Sequence, residues 1–290
     1  MNSPYYVPSG HIPAQAVVLA VCCTLLVVVP ALLYAWFTRH AHFFLLDWLA
    51  LLVFAAGMGR AAEFVAHHGK ARSPRWMGRL GLAIGIVGWY THWAGWLALA
   101  DAGRFTDLLA DPYGMWRFAM TLTDSEAARV SGMRIDGSVL ATGWILEFIL
   151  LTMIPRSRGR AAAETPFCER TDSWTTPFAL PRKFAFIDEP LIVVHRLENA
   201  PDQLLSILQT CTEEDPSRYS VVTLHFGGGD AFISIDNIRV EEGTKRGATW
   251  EKWIEIPVIA YLRLPGTVAS QLLGDSTNIV FPTPTSPASA

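Results

Sequence analysis

The sequence is poor in charged residues. Asp, Glu, Lys and Arg make up 17% of the 290 residues, whereas soluble domains carry about 25%, and the shortfall lies almost wholly before residue 155. The stretch Ala14–Trp36 contains none of the four. About 20 apolar residues cross the roughly 30 Å hydrocarbon core of a bilayer, and there the backbone must satisfy its own hydrogen bonds. We therefore expect a membrane-spanning helix, kinked at Pro30.

Two other shortages exclude classes of function. The net charge is −3 and no basic stripe is present, which argues against nucleic-acid binding. The four cysteines form no C-x-x-C pair, so the common zinc and thioredoxin spacings are missing. We predict no metal site and no cofactor. The cysteines are Cys22, Cys23, Cys168 and Cys211.

Four apolar segments of helix length fill the first half of the chain, and none follow them. The first lacks the basic start and short apolar run of a cleaved signal peptide, so we interpret it as a retained helix. The predicted fold is an α-helical membrane bundle of four transmembrane helices followed by a small α+β soluble domain with an antiparallel hairpin. The predicted boundaries are spans at about 14–36, 43–66, 80–100 and 138–154 within a membrane domain at 1–160, a linker at 161–180, the soluble domain at 181–275 and a disordered tail at 276–290.

Basic residues cluster on one predicted side of the membrane. Five lie between or beside the second and third segments, at Arg60, Lys70, Arg72, Arg75 and Arg79, and three more follow the fourth segment in 156–160. Lys and Arg near span ends favour the cytoplasm. The pattern predicts a membrane protein with both termini cytoplasmic. The external loop would then contain Phe105–Met120, a candidate amphipathic helix on the membrane surface.

Three ionisable residues interrupt the apolar segments, namely Asp47, His92 and Glu147. A charge at mid-bilayer costs about 2.5–3.5 kcal/mol on insertion scales, so such groups face protein or water. They are candidates for an ion path, and the alternative is that they stabilise contacts between helices. Arg60 and Glu63 have the spacing to pair along one helix face.

Small residues mark one face of the third segment. Gly81, Gly85, Gly88, His92 and Gly95 recur at helical spacing, and small residues let helix backbones approach closely in lipid. We call this set the glycine face. It predicts that His92 lies in a tight helix–helix contact, and a homo-oligomer is expected.

The other histidines do not favour a metal site. The predicted topology places His40 and His42 outside and His67 and His68 inside, so the two pairs cannot share an ion. We interpret them as solvated loop residues.

The second half of the chain has the sequence patterns of helices and strands that are typical of a small α+β domain. The expected elements are a helix at Asn199–Cys211 capped by Asn199, strands at Tyr219–Phe226 and Ala231–Val240 around a Gly-rich turn, an edge strand at Thr249–Ile259 with Pro257, and a short helix at Thr267–Leu273. His195 and His225 could meet Asp188, Glu189 or Asp230, yet no nucleophile has a recognised setting, so no catalytic residue is predicted.

The plan resembles a family of uncharacterised bacterial four-span inner-membrane proteins with a cytoplasmic domain. The resemblance lies in Tyr5–Pro13, in Gly143–Phe148 and in Pro166–Trp174, which opens the soluble part with Pro-Phe-Cys-Glu and ends with Trp. Family members have a second cysteine where this chain has Thr171, which puts a two-thiol metal or redox role in doubt here. The resemblance implies membrane location and the two-part plan, and no activity.

Three hypotheses for function follow. The first is an interaction or assembly protein whose cytoplasmic domain docks an unidentified protein partner, and it is the one we favour. The second is a small oligomeric transporter or channel that uses Asp47, His92 and Glu147. The third is an enzyme at the lipid interface, which rests on scattered residues such as His40, His42, Asp107 and Asp111.

Overall fold

The computed structural model describes residues 3–41, 44–100, 102–124, 129–130, 133–134, 137–209, 211, 217–228, 230–245 and 248–274. The chain forms two compact units. One comprises Pro8–Thr165, and the other combines Met1–Val7 with Pro166–Ala290. We call them the helical unit and the sheet unit. The tail predicted at 276–290 and His42 lie outside the described residues.

In its described residues, the helical unit contains seven helices and two short antiparallel strands. They are α1 (Ala14–Leu26), α2 (Val28–His40), α3 (Phe44–His68), α4 (Pro74–Leu99), α5 (Phe105–Ala110), α6 (Pro112–Asp124), β1 (Arg129–Val130), β2 (Met133–Arg134) and α7 (Gly137–Glu164).

The first apolar segment is divided at Val27, as its proline predicts. The amide of Val27 still donates to the Cys23 carbonyl at 3.1 Å, and the amide of Ala31 donates to the Val27 carbonyl at 3.1 Å. Pro30 has no N–H to offer the carbonyl of Leu26, four residues before it. The helical ladder therefore loses one bond at the point where α1 ends and α2 begins.

Among the described residues, three helices are long and apolar enough to cross a membrane: Ala14–His40, Leu45–His68 and Gly137–Glu164. The fourth predicted segment is helical as well, as α4, but it does not meet the same hydropathy criterion. Its sequence is diluted by glycine, tryptophan, tyrosine and histidine. Nearly half of its residues are buried within the unit, so α4 needs less apolar surface than a helix facing lipid.

The predicted surface helix consists of two helices that meet at Asp111. Pro112 begins α6 because a first-turn proline loses no helical hydrogen bond, and the Asp111 carboxylate accepts the Gly114 amide at 2.8 Å. Met115 and Ala119 are buried, whereas Tyr113 and Trp116 are exposed. The amphipathic pattern is therefore confirmed, in α6 alone.

The glycine face packs against three helices of the same chain. A Cβ built at Gly81 or Gly85 falls on backbone atoms of α7 around Pro155 and Leu151, well inside van der Waals contact. At Gly88 it meets Met58 and Phe54 of α3, and at Gly95 it meets Leu32 and Ala35 of α2. These glycines set the spacing of the helices within one molecule, so an oligomer would use other surfaces.

The described part of the sheet unit contains six strands, three helices and one short turn of 3₁₀-helix. They are β3 (Phe167–Cys168), β4 (Ser173–Trp174), β5 (Thr176–Ala179), α8 (Pro190–Asn199), the 3₁₀ turn (Pro201–Gln203), α9 (Leu204–Ile207), β6 (Arg218–Gly227), β7 (Asp230–Lys245), β8 (Ala248–Leu264) and α10 (Gly266–Gly274). The main sheet is antiparallel in the order β5-β6-β7-β8, and β3 pairs with β4 separately.

The hairpin, the edge strand and the closing helix are confirmed. Gly227 pairs with Asp230 across the predicted turn, and Gly228 has a φ of +55° that favours glycine. One face of the sheet carries the buried core, which includes Val222, Leu224 and Ile235. Strands β3 to β5 occupy residues that the sequence assigned to a linker.

The predicted helix at Asn199–Cys211 is wrong. Asn199 is the last residue of α8, and its side-chain amide donates back to the His195 carbonyl at 2.7 Å instead of capping a following helix. Pro201 begins a 3₁₀ turn, and α9 ends at Ile207. The helix that the sequence analysis missed, α8, contains the run Leu191-Ile-Val-Val194, whose β-branched residues favour a strand.

The N-terminal segment joins the sheet. Tyr5 forms an antiparallel bridge with Leu262 of β8, the Tyr6 amide donates to the Tyr261 carbonyl at 2.9 Å, and the Arg263 amide donates to the Pro4 carbonyl at 2.8 Å. The Tyr6 ring also contacts Phe232 edge-on, with centroids 5.4 Å apart. Residues at the two ends of the chain are thus parts of one folded unit.

The glycine face gives a first prediction. Replacing Gly85 by Ala places a methyl group against the α7 backbone, and overpacking of this kind costs about 1–3 kcal/mol. We expect the G85A variant to lose that much free energy of unfolding in an SDS titration of the protein in micelles. The matched control is Gly57→Ala, because a Cβ at Gly57 has no neighbour within 4 Å. Equal stability of the two variants would contradict the packing described.

Candidate functional site

Three polar side chains from three helices meet inside the helical unit. Tyr34 comes from α2, His92 from α4 and Glu147 from α7, and we call them the buried cluster. Gly88 and Gly95 lie one turn either side of His92 on the same helix face. At both glycines the missing Cβ leaves room for side chains of α3 and α2, so His92 lies in a tightly packed region between helices.

The contacts within the buried cluster are short. His92 Nδ1 lies 3.2 Å from Glu147 Oε1, and the rings of Tyr34 and His92 face each other at a tilt of 37° with centroids 4.4 Å apart. Tyr34 also interacts electrostatically with Glu147. The imidazole and carboxyl side chains are only 7% and 13% exposed. Water therefore has little access to either group.

The histidine and glutamate are close without a well-directed hydrogen bond. Within the described part of the chain, both His92 nitrogens and Glu147 Oε1 are buried and have no hydrogen-bond partner by angle as well as distance. A buried unpaired polar group costs about 1–3 kcal/mol. The 3.2 Å between Nδ1 and Oε1 is within hydrogen-bonding distance, so a proton on one of the two groups can be directed at the other. The cluster can therefore hold one proton, or it can act as a polar contact that joins α4 and α7.

Asp47 is separate from this cluster. It lies in the first turn of α3. Its buried Oδ1 has no hydrogen-bond partner among the described residues. The structure thus brings together two of the three predicted intramembrane groups and leaves the third at the end of a helix. The Arg60–Glu63 pair is confirmed, with 3.1 Å between Nη1 and Oε2.

The sequence analysis missed Tyr34. A single tyrosine in a segment without charge is usually a residue of the membrane–water interface, and no spacing within α2 distinguishes it. Its role depends on where α4 and α7 place His92 and Glu147, which no local pattern records.

In the sheet unit, the outer edge of β8 is the most distinctive surface. Strand β8 is the last strand of the sheet, and the N-terminal segment pairs with it only near Leu262. Over residues 249–258 the described chain provides no strand on that side. Trp250, Trp253 and Ile256 are 44%, 59% and 37% exposed there. We call this stretch the open edge.

A second polar group lies on the sheet face opposite the core. The ladder between β7 and β8 is irregular around Ser234, and Tyr261 has a φ of +56°. Ser234 Oγ accepts the Tyr261 amide at 3.3 Å and lies 3.3 Å from His225 Nε2. Burial lowers the pKa of His225 below its ordinary value. Ser234 is thus engaged in supporting the irregular ladder, which is a structural role.

The acidic residues proposed as partners of the histidines bind elsewhere. The Asp188 carboxylate accepts a hydrogen bond from Arg218 at 2.7 Å, and Asp230 accepts from the Cys168 thiol at 3.7 Å. Within the ranges that the structure describes, no group of three His, Cys, Asp or Glu residues is arranged to hold a metal ion.

Comparisons of the chain with protein-family models, with curated proteins and with solved structures gave no match. The resemblance stated from the sequence therefore stays a prediction. The structure defines the class at a coarse level: a helical region with three helices able to cross a membrane, followed by a domain built on an antiparallel sheet.

The buried cluster predicts coupled stability effects. Replacing either His92 or Glu147 by Leu leaves the other group without its neighbour, and we expect each variant to lose about 1–3 kcal/mol of unfolding free energy in micelles. The double variant should lose clearly less than the sum, because no polar group is then stranded.

The exposed pair Arg60–Glu63 is the control for this comparison of single and double variants. Replacing either member by Leu should change the unfolding free energy by less than about 1 kcal/mol, since exposed ion pairs contribute little. Additive losses for His92 and Glu147 would show that the two groups do not interact.

Proposed function

We propose that this chain is a four-span inner-membrane protein that anchors a cytoplasmic docking domain, and that a protein partner binds the open edge of β8. The observation on which the docking function rests is the open edge itself, with its two exposed tryptophans. The four-span topology rests on the pairing of the two chain ends.

Pairing of the ends requires an even number of spans. Residues 4–6 hydrogen-bond with residues 261–263 in one sheet, so both must lie on the same side of the membrane. Three spans would place them on opposite sides. The additional span is then α4, whose 26 residues extend about 39 Å at 1.5 Å per residue and exceed the roughly 30 Å of hydrocarbon.

The low hydropathy of α4 is compatible with this assignment. Hydropathy measures the cost of meeting lipid, and α4 meets mainly protein: its glycine face packs on α2, α3 and α7. The distribution of Lys and Arg supports a cytoplasmic location for both ends, because the basic residues flanking the α3–α4 connection and those following the apolar part of α7 lie on the same side in a four-span arrangement.

Reporter fusions test the topology. With alkaline phosphatase, which is active only outside the cytoplasm, we expect inactive fusions at Lys70 and Arg160 and an active fusion at Ala102. The contrast between Lys70 and Ala102 is decisive, since these residues flank α4. Equal activity at both would mean that α4 does not cross the membrane.

The open edge has the properties of a docking surface. An edge strand presents unpaired N–H and C=O groups that an extended peptide can pair with, and side-chain pockets then give specificity. Tryptophan is enriched among the residues that dominate binding energy. Trp253 contacts the Tyr219 ring edge-on at 6.4 Å, which orders one side of its indole while most of it stays exposed. Glu251 and Lys252 lie between the two tryptophans and disfavour uncontrolled pairing.

The docking function predicts a large effect of one side chain. In-cell cross-linking with mass spectrometry on the intact protein should capture a partner that is not captured by a version ending at Arg160. We expect Trp253→Ala to lower that capture about thirtyfold, because a central tryptophan contributes about 2 kcal/mol or more to binding.

Leu191→Ala provides the control for that experiment. Leu191 is the most exposed large apolar residue of the sheet unit and lies on α8, outside the open edge. Its replacement should leave capture unchanged at equal expression. Full capture by the Trp253→Ala variant would place the partner site elsewhere.

A second candidate function, a small oligomeric transporter or channel, is favoured by the buried cluster, in which His92 and Glu147 lie 3.2 Å apart. It predicts proton or cation flux in proteoliposomes that falls at least about tenfold in Glu147→Gln, a nearly isosteric change that removes the ionisable group. Asp47→Asn serves as the comparison, because Asp47 lies outside the cluster. Absence of flux in the correctly oriented wild-type protein would contradict this function and would mean that His92 and Glu147 serve only to join α4 and α7.

A further inference from the structure

Arginines from α4 and α7 lie side by side at one end of the helical unit. The two helices run in opposite directions, because Gly85 packs against Leu151 and Gly81 packs against Pro155. One turn further along, a Cβ at Gly78 would lie 3.9 Å from Arg156 Cγ and 3.7 Å from Arg160 Cβ. The start of α4, which carries Arg75 and Arg79, therefore lies beside the arginines of α7.

Four arginines at this end have no acidic partner among the described residues. We call them the arginine patch, and they are Arg75, Arg79, Arg156 and Arg158. The two glutamates at this end bind other arginines: Glu63 pairs with Arg60 at 3.1 Å, and Glu164 pairs with Arg160 at 2.9 Å. All four members of the patch are exposed. The patch is thus a surface of positive charge that no described carboxylate neutralises.

The charges begin where three long apolar stretches end. No Asp, Glu, Lys or Arg occurs in 48–59 of α3, in 80–91 of α4 or in 148–155 of α7. The first charged residues beyond these stretches are Arg60, Arg79 and Arg156. The sequence shows each boundary separately, and only the packing of the helices shows how the boundaries are arranged in space.

The three boundaries lie at about the same height along the bundle. A Cβ at Gly59 of α3 would lie 3.2 Å from Arg158 Cγ and 3.5 Å from Ile154 Cγ2 of α7, and Gly81 of α4 packs against Pro155. Exposed apolar side chains lie on the uncharged side of this level. Met153, one turn from Arg156, is 39% exposed. Apolar surface and arginines are therefore adjacent on one side of the bundle.

The first turn of α4 adds to the attraction for an anion. Arg75 lies in that turn, at the end of a helix where the backbone dipole attracts negative charge and disfavours a cation. The side chain of Ser73 does not cap the helix. Because the sequence places a cation at a position that favours an anion, a bound negative group would be stabilised by both the guanidinium and the helix end.

The surroundings of the arginine patch distinguish between possible ligands. Guanidinium groups bind phosphate through paired hydrogen bonds. A free phosphate or an acidic protein segment would make no use of the adjacent apolar surface, and the same patch on a second copy would repel this one. A phospholipid carries a phosphate and hydrocarbon chains in one molecule. We propose that the arginine patch binds the headgroup phosphate of an anionic phospholipid, whose acyl chains cover the apolar surface beside Met153.

This inference rests on the proposed membrane location of the helical unit and is independent of partner docking at the open edge. Basic clusters next to a membrane span attract anionic lipid, and each Lys or Arg there strengthens binding about fivefold. The reporter fusions test which helices cross the membrane. Lipid binding is measured on the full protein in detergent, so the two proposals can fail separately.

Two double variants provide a matched test. Arg79→Gln with Arg156→Gln removes two charges from the patch, one on each helix. Arg104→Gln with Arg117→Gln removes the same charge beyond the opposite end of α4, also from exposed residues. Since all four side chains are exposed, we expect both variants to fold, and an SDS titration of unfolding checks this.

Native mass spectrometry of the delipidated protein gives the affinities. The probes are phosphatidylglycerol and phosphatidylcholine with identical acyl chains. We expect the wild type to bind phosphatidylglycerol at least about tenfold more tightly than phosphatidylcholine, and the patch variant to bind phosphatidylglycerol about 25-fold more weakly than the wild type. The control variant should stay within about twofold of the wild type. Equal affinity of the wild type for both lipids, or equal losses in the two variants, overturns the proposal.

Competition separates a lipid from a soluble anion. Inorganic phosphate and poly-glutamate, each in excess, should leave phosphatidylglycerol bound to the wild type, because neither covers the apolar surface beside the patch. Displacement by inorganic phosphate would mean a site for a free anion, and displacement by poly-glutamate would mean a site for an acidic protein. Either result contradicts the proposal.

Discussion

The close approach of α4 to its neighbours is the constraint on which the helical unit depends. At Gly81 and Gly85 the α7 backbone occupies the space where a side chain would begin. This spacing brings His92 within 3.2 Å of Glu147 and turns the imidazole toward Tyr34. Without it, three buried polar groups would each need another partner, because an unpaired buried polar group costs about 1–3 kcal/mol.

The same packing explains why α4 does not meet the hydropathy criterion that the other long helices meet. A helix in the middle of a bundle exchanges lipid contact for protein contact, so glycine, tryptophan and histidine are tolerated where a peripheral helix carries leucine and valine. The first helix shows the opposite composition: Val18, Val29 and Leu33 are exposed, and apolar surface of this kind suits a helix that can cross a membrane. Composition thus reports the depth of a helix within the bundle.

Local sequence patterns predicted the parts of the fold that depend on residues close together in the sequence. The helical spacing of the glycines placed His92 in a tight contact, and the alternation around Gly228 placed the hairpin. Pro257 marked an edge strand because a proline removes a donor that only a central strand needs. These features depend on the residues themselves and on their immediate neighbours.

Features set by distant partners could not be predicted in this way. Strand β5 contains Pro177 and looks like a linker, yet it pairs with β6 at the other edge of the sheet, where proline is tolerated. Helix α8 contains a run of β-branched residues, and packing of Leu197 into the core outweighs their preference for strands. Tyr34 joins the buried cluster only because two other helices present His92 and Glu147 to it.

The pairing of Tyr5 with Leu262 has a consequence for biosynthesis. At about 5–20 residues per second, the ribosome needs roughly 13 to 50 seconds to make the stretch between these two residues. During that time Tyr5 has no partner strand. It can join the sheet only after the intervening helices and the other strands have been synthesised, so this contact is closed late although one of its members is made early.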